Sequence, residues 1–182
     1  MGGYPVKKWQ ILSSKEMIDC FIFKVKQNTS KSPLTNREHN FYILDSKNWA
    51  NIIAITPENK IIMVRQYRHG VDDITLEIPA GIMEINDPTP ETTIKRELLE
   101  EAGYEAKIVI MLGSVFPNPA FLNNMCTTFV ARDVIKTKEQ NLDNTENIGI
   151  EEVELEKIPE LIKGGKILHS LTIAAFYLYE HS

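Results

Sequence analysis

The sequence predicts an α+β protein: an α/β/α sandwich built on a mixed sheet, with an N-terminal β-rich extension. Three observations carry that prediction. Apolar, β-branched runs of strand length fill most of the chain before residue 80. Helix-start chemistry first appears at Thr89. Two short helical patterns, "IPELIKGG" and "SLTIAAFYLYEHS", close the chain after further strands. At 182 residues and 43% hydrophobic, the chain is long enough for one sizeable core.

Residues 9–28 alternate apolar and polar around "SSKE", which predicts a hairpin turning at those four residues. "NTSKSPLTN" is a loop, and "REHNFYILD" resumes as a strand. "WANIIAIT" and "IIMVRQYR" flank the Pro-Glu-Asn turn of "PENK" and predict a second hairpin. "ITLEIPAG" is a further short strand ended by Pro79 and Gly81. Thr89 is a good N-cap, Pro90 suits the first helical position, and Glu91 favours the positive end of the dipole. The helix should run to Ala102, with Gly103 as its C-cap. "EAKIVIMLGSVF" and "CTTFVARDVI" read as strands around the loop "PNPAFLNNM". Residues 136–147 form a polar, mobile loop before the strand "IGIEEVEL". The terminal helix should bury Leu171, Ala174, Ala175 and Leu178 on one face. The division expected is a β-rich region over 1–46 and a main domain over 47–182.

Bulk properties exclude several roles. A net charge of −5 argues against a nucleic-acid surface, which needs a basic face. Cys20 and Cys126 sit in apolar runs without CxxC spacing, which predicts a reduced, cytoplasmic protein with two core thiols. The start lacks a signal-peptide pattern and no run approaches 18 apolar residues, so no membrane association is expected. The four histidines show no metal-ligand spacing.

The densest chemistry lies in "PAGIMEINDPTPETTIKRELLEEAGY". On a helix, Glu101 lies about 40° from Glu97 and Glu100 about 60° on the other side, so three carboxylates share an arc of about 100°. Ile94, Leu98 and Ala102 form a core stripe beside that arc. Neighbouring carboxylates about 5–6 Å apart repel by roughly 3 kcal/mol at an effective dielectric near 20. Glu100 and Glu101 also occupy the last turn, where the dipole favours cations. Local stability does not select this arrangement. Two readings stay open at this point: a solvated Glu-rich helix face, or an all-oxygen cage for Mg²⁺ or Mn²⁺ walled by backbone carbonyls around Ala80, which would explain the clustering.

These residues resemble the Nudix box, GX5EX7REUXEEXGU, with Gly81, Arg96, Glu97, Leu98, Glu100, Glu101 and Gly103 in matching roles. "MVRQYR", "EIPAG" and the tail "ELIKGGKILHSLTIAAFYLY" resemble the ADP-ribose pyrophosphatase and nucleoside diphosphate sugar hydrolase branch of that family. Two positions depart from the pattern. Asp87 stands where the box has its first Glu, followed by one extra residue before Arg96, and Tyr104 replaces the final aliphatic residue.

The resemblance implies divalent-metal-dependent hydrolysis of the diphosphate bond in ADP-ribose or a related nucleoside diphosphate sugar. It implies Mg²⁺, or Mn²⁺, held by Glu97, Glu100, Glu101 and the Ala80 carbonyl, with Arg96 orienting the carboxylates. A general base on a loop before the penultimate strand would be Glu146, with Glu139 and Glu151 as competitors. Arg68, and second to it Arg65, would contact substrate. Glu77 would either bind a base or sugar or serve as a buried partner for Arg68. Pro119 resembles the downstream proline of ADP-ribose hydrolases, although "NPAFLNN" around it leaves GDP-mannose-like sugars and dinucleotides open as substrates. A homodimer exchanging the N-terminal region is implied as well. Nucleotide-sensing relatives without activity usually carry degenerate boxes, whereas the REUXEE core is intact here.

Overall fold

The computed structural model describes residues 6–144 and 146–182, so the first five residues of the predicted N-terminal region lie outside it. The chain divides into two compact units, Met1–Lys47 with Asn118–Asn124, and Asn48–Pro117 with Met125–Ser182.

The first unit is an antiparallel sheet of β1 (Gln10–Asp19), β2 (Phe23–Lys31) and β3 (Glu38–Ser46), in that order. The predicted turn at "SSKE" is not there. β1 runs straight through it, with a register shift on either side, and the chain reverses at Cys20–Ile22. "SSKE" lacks a residue suited to positive φ. Asp19 instead accepts the Phe21 N–H on its side chain (3.0 Å), and Phe21 takes φ 66°. The 118–124 segment packs against β3: Leu44 N–H donates to Phe121 O (2.7 Å) and Ser46 N–H to Asn123 Oδ1 (3.1 Å). Ile11, Met17, Ile18, Phe41 and Tyr42 of this sheet remain exposed.

The second unit begins with β4 (Trp49–Ala54) and β5 (Lys60–Arg68), followed by β6 (Asp73–Glu77) and β7 (Ala80–Ile82). Helix α1 (Pro90–Ala102) leads to β8 (Tyr104–Glu105), β9 (Ile110–Val115), β10 (Cys126–Ala131) and β11 (Ile135–Lys136). β12 (Ile148–Glu154), α2 (Ile158–Lys163) and α3 (Ser170–Glu180) complete the chain. Strands β7-β4-β10-β9 form a mixed sheet in which β4 and β10 are parallel. Strands β12-β5-β6 form an antiparallel one, and β8 pairs with β11.

The predicted second hairpin is therefore only a bridge. Ile55 and Ile61 pair across the 57–59 turn, after which β4 and β5 part into different sheets. Both strands are apolar on both faces, so each is an interior strand that needs partners on two edges. "ITLEIPAG" splits for the same reason, β6 staying with β5 while β7 crosses to β4. "CTTFVARDVI" is also broken, at Asp133, whose φ is 55°.

Each face carries a helix. Ala50, Ile52, Ala54, Ile62 and Phe129 pack with Ile94, Leu98 and Ala102 of α1. Ile53, Ile55, Ile61, Met63 and Val130 pack with Ala175 and Phe176 of α3. This is the α/β/α sandwich. The buried face of α3 is Leu171, Thr172, Ala175 and Phe176, turned from the predicted one, with Ala174 and Leu178 half-buried. Cys126 is buried as expected, and burial pushes its thiol up to about 12, while Cys20 sits at the first hairpin's turn rather than in a core.

Candidate active site

The strand register builds one wall. Ile52 N–H donates to Pro79 O (3.1 Å) and Met83 N–H to Asn48 O (2.9 Å), so residues 79, 81 and 83 turn their backbone groups toward β4. Ala80 and Ile82 turn theirs away. The Ala80 N–H donates to Glu101 Oε2 (3.1 Å), and Ile82 O accepts from Arg96 Nη2 (3.5 Å). Because a strand residue points its N–H and C=O the same way, the Ala80 carbonyl faces α1 as well.

The other wall is α1, capped as predicted. Thr89 Oγ1 accepts the Thr92 N–H (3.2 Å), Pro90 opens the helix, and Gly103 closes it at φ 74°. The two walls nearly touch. A Cβ added to Gly81 would lie 1.9 Å from Glu97 Oε1 and 2.0 Å from its Cδ, so a side chain here would displace Glu97.

Arg96 ties the walls together. It donates to Asp87 (2.9 Å) and Glu100 (2.8 Å) and lies 3.0 Å from Glu97 Oε1. Burial works against its charge, but Asp87 and Glu100 more than offset that and hold the guanidinium firmly protonated. Asp87 also accepts from Glu84 N–H (3.0 Å) and Thr93 Oγ1 (3.1 Å), and its pKa is lowered by Arg96 above all. The departure from the box is thus accommodated. Asp87 reaches Arg96 and the first turn of α1 across the longer interval. Tyr104 is explained too: its hydroxyl donates to Glu152 Oε1 on β12 (2.8 Å), a bond an aliphatic residue could not make.

Glu101 is the buried acid of α1, at 4% exposure, and Glu97 is largely covered beside it. Burial pushes Glu97 up to about 7, with Glu100 and Glu146 adding to the effect and Arg96 opposing it. Glu101 is pushed up to about 8 by burial, then by Glu97 and Glu146, against the Ala80 N–H and Arg68. Glu100 is more exposed and turned to Arg96.

Among the described residues no three acidic, His or Cys side chains form a closed ligand set. A divalent ion nevertheless fits the chemistry. Two carboxylates lie against the Ala80 strand, all the candidate donors are hard oxygens, and burial raises the proton affinity of both acids, which a nearby cation would offset.

A stability prediction follows. Both acids bind protons more tightly folded than unfolded, so between about pH 4.5 and 8 the native state holds more protons. Without metal, their contribution to stability is fully present below the unfolded pKa and is lost as pH rises through the folded values. We expect a loss of several kcal/mol, with a matching fall in Tm, between pH 5 and pH 8.5. Mg²⁺ should reverse it at pH 8.5 and do little at pH 5; a metal-insensitive Tm at both would contradict the fit.

Arg68 belongs to a second cluster. Its Nε and Nη2 clamp Glu77 (2.8 and 2.7 Å), whose carboxylate also accepts from Thr75 Oγ1 and lies 3.3 Å from His169 Nδ1. Burial would raise Glu77, yet Arg68 and His169 bring it below the usual carboxylate range. Of the two readings of Glu77, the structure has it as the partner of Arg68. Arg68 is near enough to Glu101 to lower its proton affinity.

The remaining candidates separate. Arg65 has the opposite parity to Arg68 on β5 and pairs with Glu151 (2.6 Å) at the surface. Glu139 is almost fully exposed beside Lys136. Glu146 alone among the loop acids bears on both Glu97 and Glu101. Pro119 belongs to the first unit.

The sandwich, the Gly81–Glu97 contact and the Arg96 hub make a site of acids held between a strand and a helix, and sequence comparison gives its class. The NUDIX domain matches residues 47–175, and the chain belongs to that family. It is 32% identical over 171 residues to an ADP-ribose pyrophosphatase of Bacillus subtilis (strain 168), covering 93% of this chain and 88% of that one. It is 38% identical over 125 residues to a methanol dehydrogenase activator of Bacillus methanolicus (68% and 67% covered). A GDP-mannose pyrophosphatase of Enterobacter sp. (strain 638) is 26% identical over 172 residues, covering 88% of each. The crystal structure of an ADP compounds hydrolase superposes with a TM-score of 0.84 at 17% identity, covering 98% of this chain and 96% of that one, and shares its fold.

Proposed function

We propose that this enzyme hydrolyses the diphosphate bond of ADP-ribose or a closely related nucleoside diphosphate sugar, giving a nucleoside monophosphate and a sugar phosphate. The observation that carries the reading is the pair of carboxylates Glu97 and Glu101, Glu101 buried and Glu97 nearly so, pressed against the Gly81 strand. Their setting suits Mg²⁺ or Mn²⁺, with Glu100 and the Ala80 carbonyl completing the donors. A divalent ion bound there neutralises diphosphate charge and makes a bound water more acidic.

The chain's own residues supply the rest. Arg96 holds the loop of Asp87 against α1 and keeps Glu97 and Glu100 aimed. Arg68, fixed by Glu77 and partly exposed, offers its remaining N–H groups to a phosphate oxygen. Glu146 accepts the proton of the attacking water, since Glu97 and Glu101 are committed elsewhere. Arg65 and Pro119 are the weaker substrate candidates. The 1–46 region, with apolar side chains left exposed on its sheet, is proposed as the homodimer surface.

With Mg²⁺, ADP-ribose should yield AMP and ribose 5-phosphate. A phosphate-release panel that included GDP-mannose and dinucleotides would correct the substrate if ADP-ribose were not preferred. Binding of ADP-ribose by calorimetry with no hydrolysis would instead favour a nucleotide sensor. Glu146→Gln is expected to lower kcat by about 10²–10³ with little change in KM, as for other positioned bases; an unchanged kcat would move the base elsewhere.

A further inference from the structure

Gln140 lies in the polar segment after β11, far in sequence from the acids of α1. Its Nε2 donates to Glu101 O (2.6 Å) and to Ile148 O (3.1 Å). Both protons of the amide are thereby used, one on the C-terminal end of α1 and one on the first residue of β12. Glu101 O is among the last helical carbonyls, which have no partner within the helix. Its neighbours are met from the same segment: Asn141 N–H donates to Glu100 O (2.9 Å), and Thr137 and Lys138 N–H both reach Gly103 O (2.9 and 3.2 Å).

Residues 137–141 are therefore sewn to the end of the acid-bearing helix, not free as a mobile loop. Gln140 goes further than its neighbours, because one side chain pins the segment carrying Glu146 both before it, at Gln140 itself, and after it, at Ile148. Beyond that neck, Glu146 N–H donates to Asp143 O (2.9 Å) and Glu146 Oε2 accepts the Asp143 N–H (2.9 Å). The Glu146 carboxylate is thus held by local bonds whose base is tied to the backbone of Glu101.

We propose that Gln140 is a positioning residue: its two-pronged clamp sets the place of Glu146 relative to Glu101 and so controls the hydrolytic step without touching substrate. The proposal rests on Glu146 as base, and a double-mutant cycle separates the two. Kinetics with ADP-ribose and Mg²⁺ would be measured for Gln140→Met, Glu146→Gln and the double variant. Gln140→Met keeps the length and loses both donors. It should lower kcat about 10-fold, leave KM within about 2-fold, and have almost no further effect in the Glu146→Gln background, because misplacing a catalytic group matters only while that group acts.

Equal losses in both backgrounds would overturn the role of Gln140 while leaving Glu146 in place. An undiminished kcat in Gln140→Met would do the same. Full turnover in Glu146→Gln would remove the base reading and the clamp's purpose with it. If Gln140→Met does not fold at assay temperature, Gln140→Leu, followed through the same cycle with Tm in parallel, decides between the same outcomes.

Discussion

Glu101→Gln is expected to give a protein that is inactive yet, without metal at pH 8.5, more heat-stable than the parent. The two effects share one origin. Glu101 is almost wholly buried, and burial together with Glu97 pushes its pKa up to about 8, so its ionised form is disfavoured by the fold. Gln has the same shape, keeps an oxygen for the Ala80 N–H, and carries no charge. The metal-free variant should gain stability at alkaline pH and none near pH 5, where Glu101 is already neutral. Turnover should fall by about 10³ or more, since a lost charged ligand removes several kcal/mol of transition-state stabilisation. Circular dichroism melts at both pH values and a phosphate-release assay test both halves. An active variant refutes the ligand role; an inactive variant with no stability gain means the charge of Glu101 is balanced by a group other than metal.

How much of this the sequence declares depends on the range of the interaction. α1 was readable to the residue because its ends are set locally, by Thr89, Pro90 and Gly103. The clustering of Glu97, Glu100 and Glu101 was readable for the same reason, helical geometry being fixed by spacing. Strand pairing was not. Nothing in "IIAITPENKII" distinguishes a hairpin from two interior strands that bridge once and part, because both need the same turn and apolar runs. Only the burial of β4 and β5 on both faces decides it. Side-chain partners at long range were the least accessible. Gln140 reaches Glu101 across 39 positions, and His169 approaches Glu77 from the head of α3. Neither contact leaves a periodic trace. Asp87 lies between these cases: its departure from the box was visible, but its bonds to Arg96 and Thr93 required the loop's path.

Gly81→Ala should damage the site directly. The reason is not backbone strain, since Gly81 has no positive φ, but space. All three atoms nearest to an added Cβ belong to Glu97, at 1.9, 2.0 and 2.4 Å, so the Glu97 side chain itself must be driven from its place. We expect a loss of about 10² or more in kcat/KM, a weaker response to Mg²⁺, and about 1–3 kcal/mol of destabilisation from overpacking. Gly70→Ala is the control, because its Cβ would meet nothing within 4 Å, and it should behave as the parent. The clash also predicts its own suppressor. With Glu97→Ala added to Gly81→Ala, the obstructing atoms are gone, so Tm should return toward the parent value while turnover stays lost. Recovery of neither would mean that α1 has withdrawn from the strand as a whole. Recovery of both would mean that Glu97 is filler, and that the approach of strand to helix serves packing rather than catalysis.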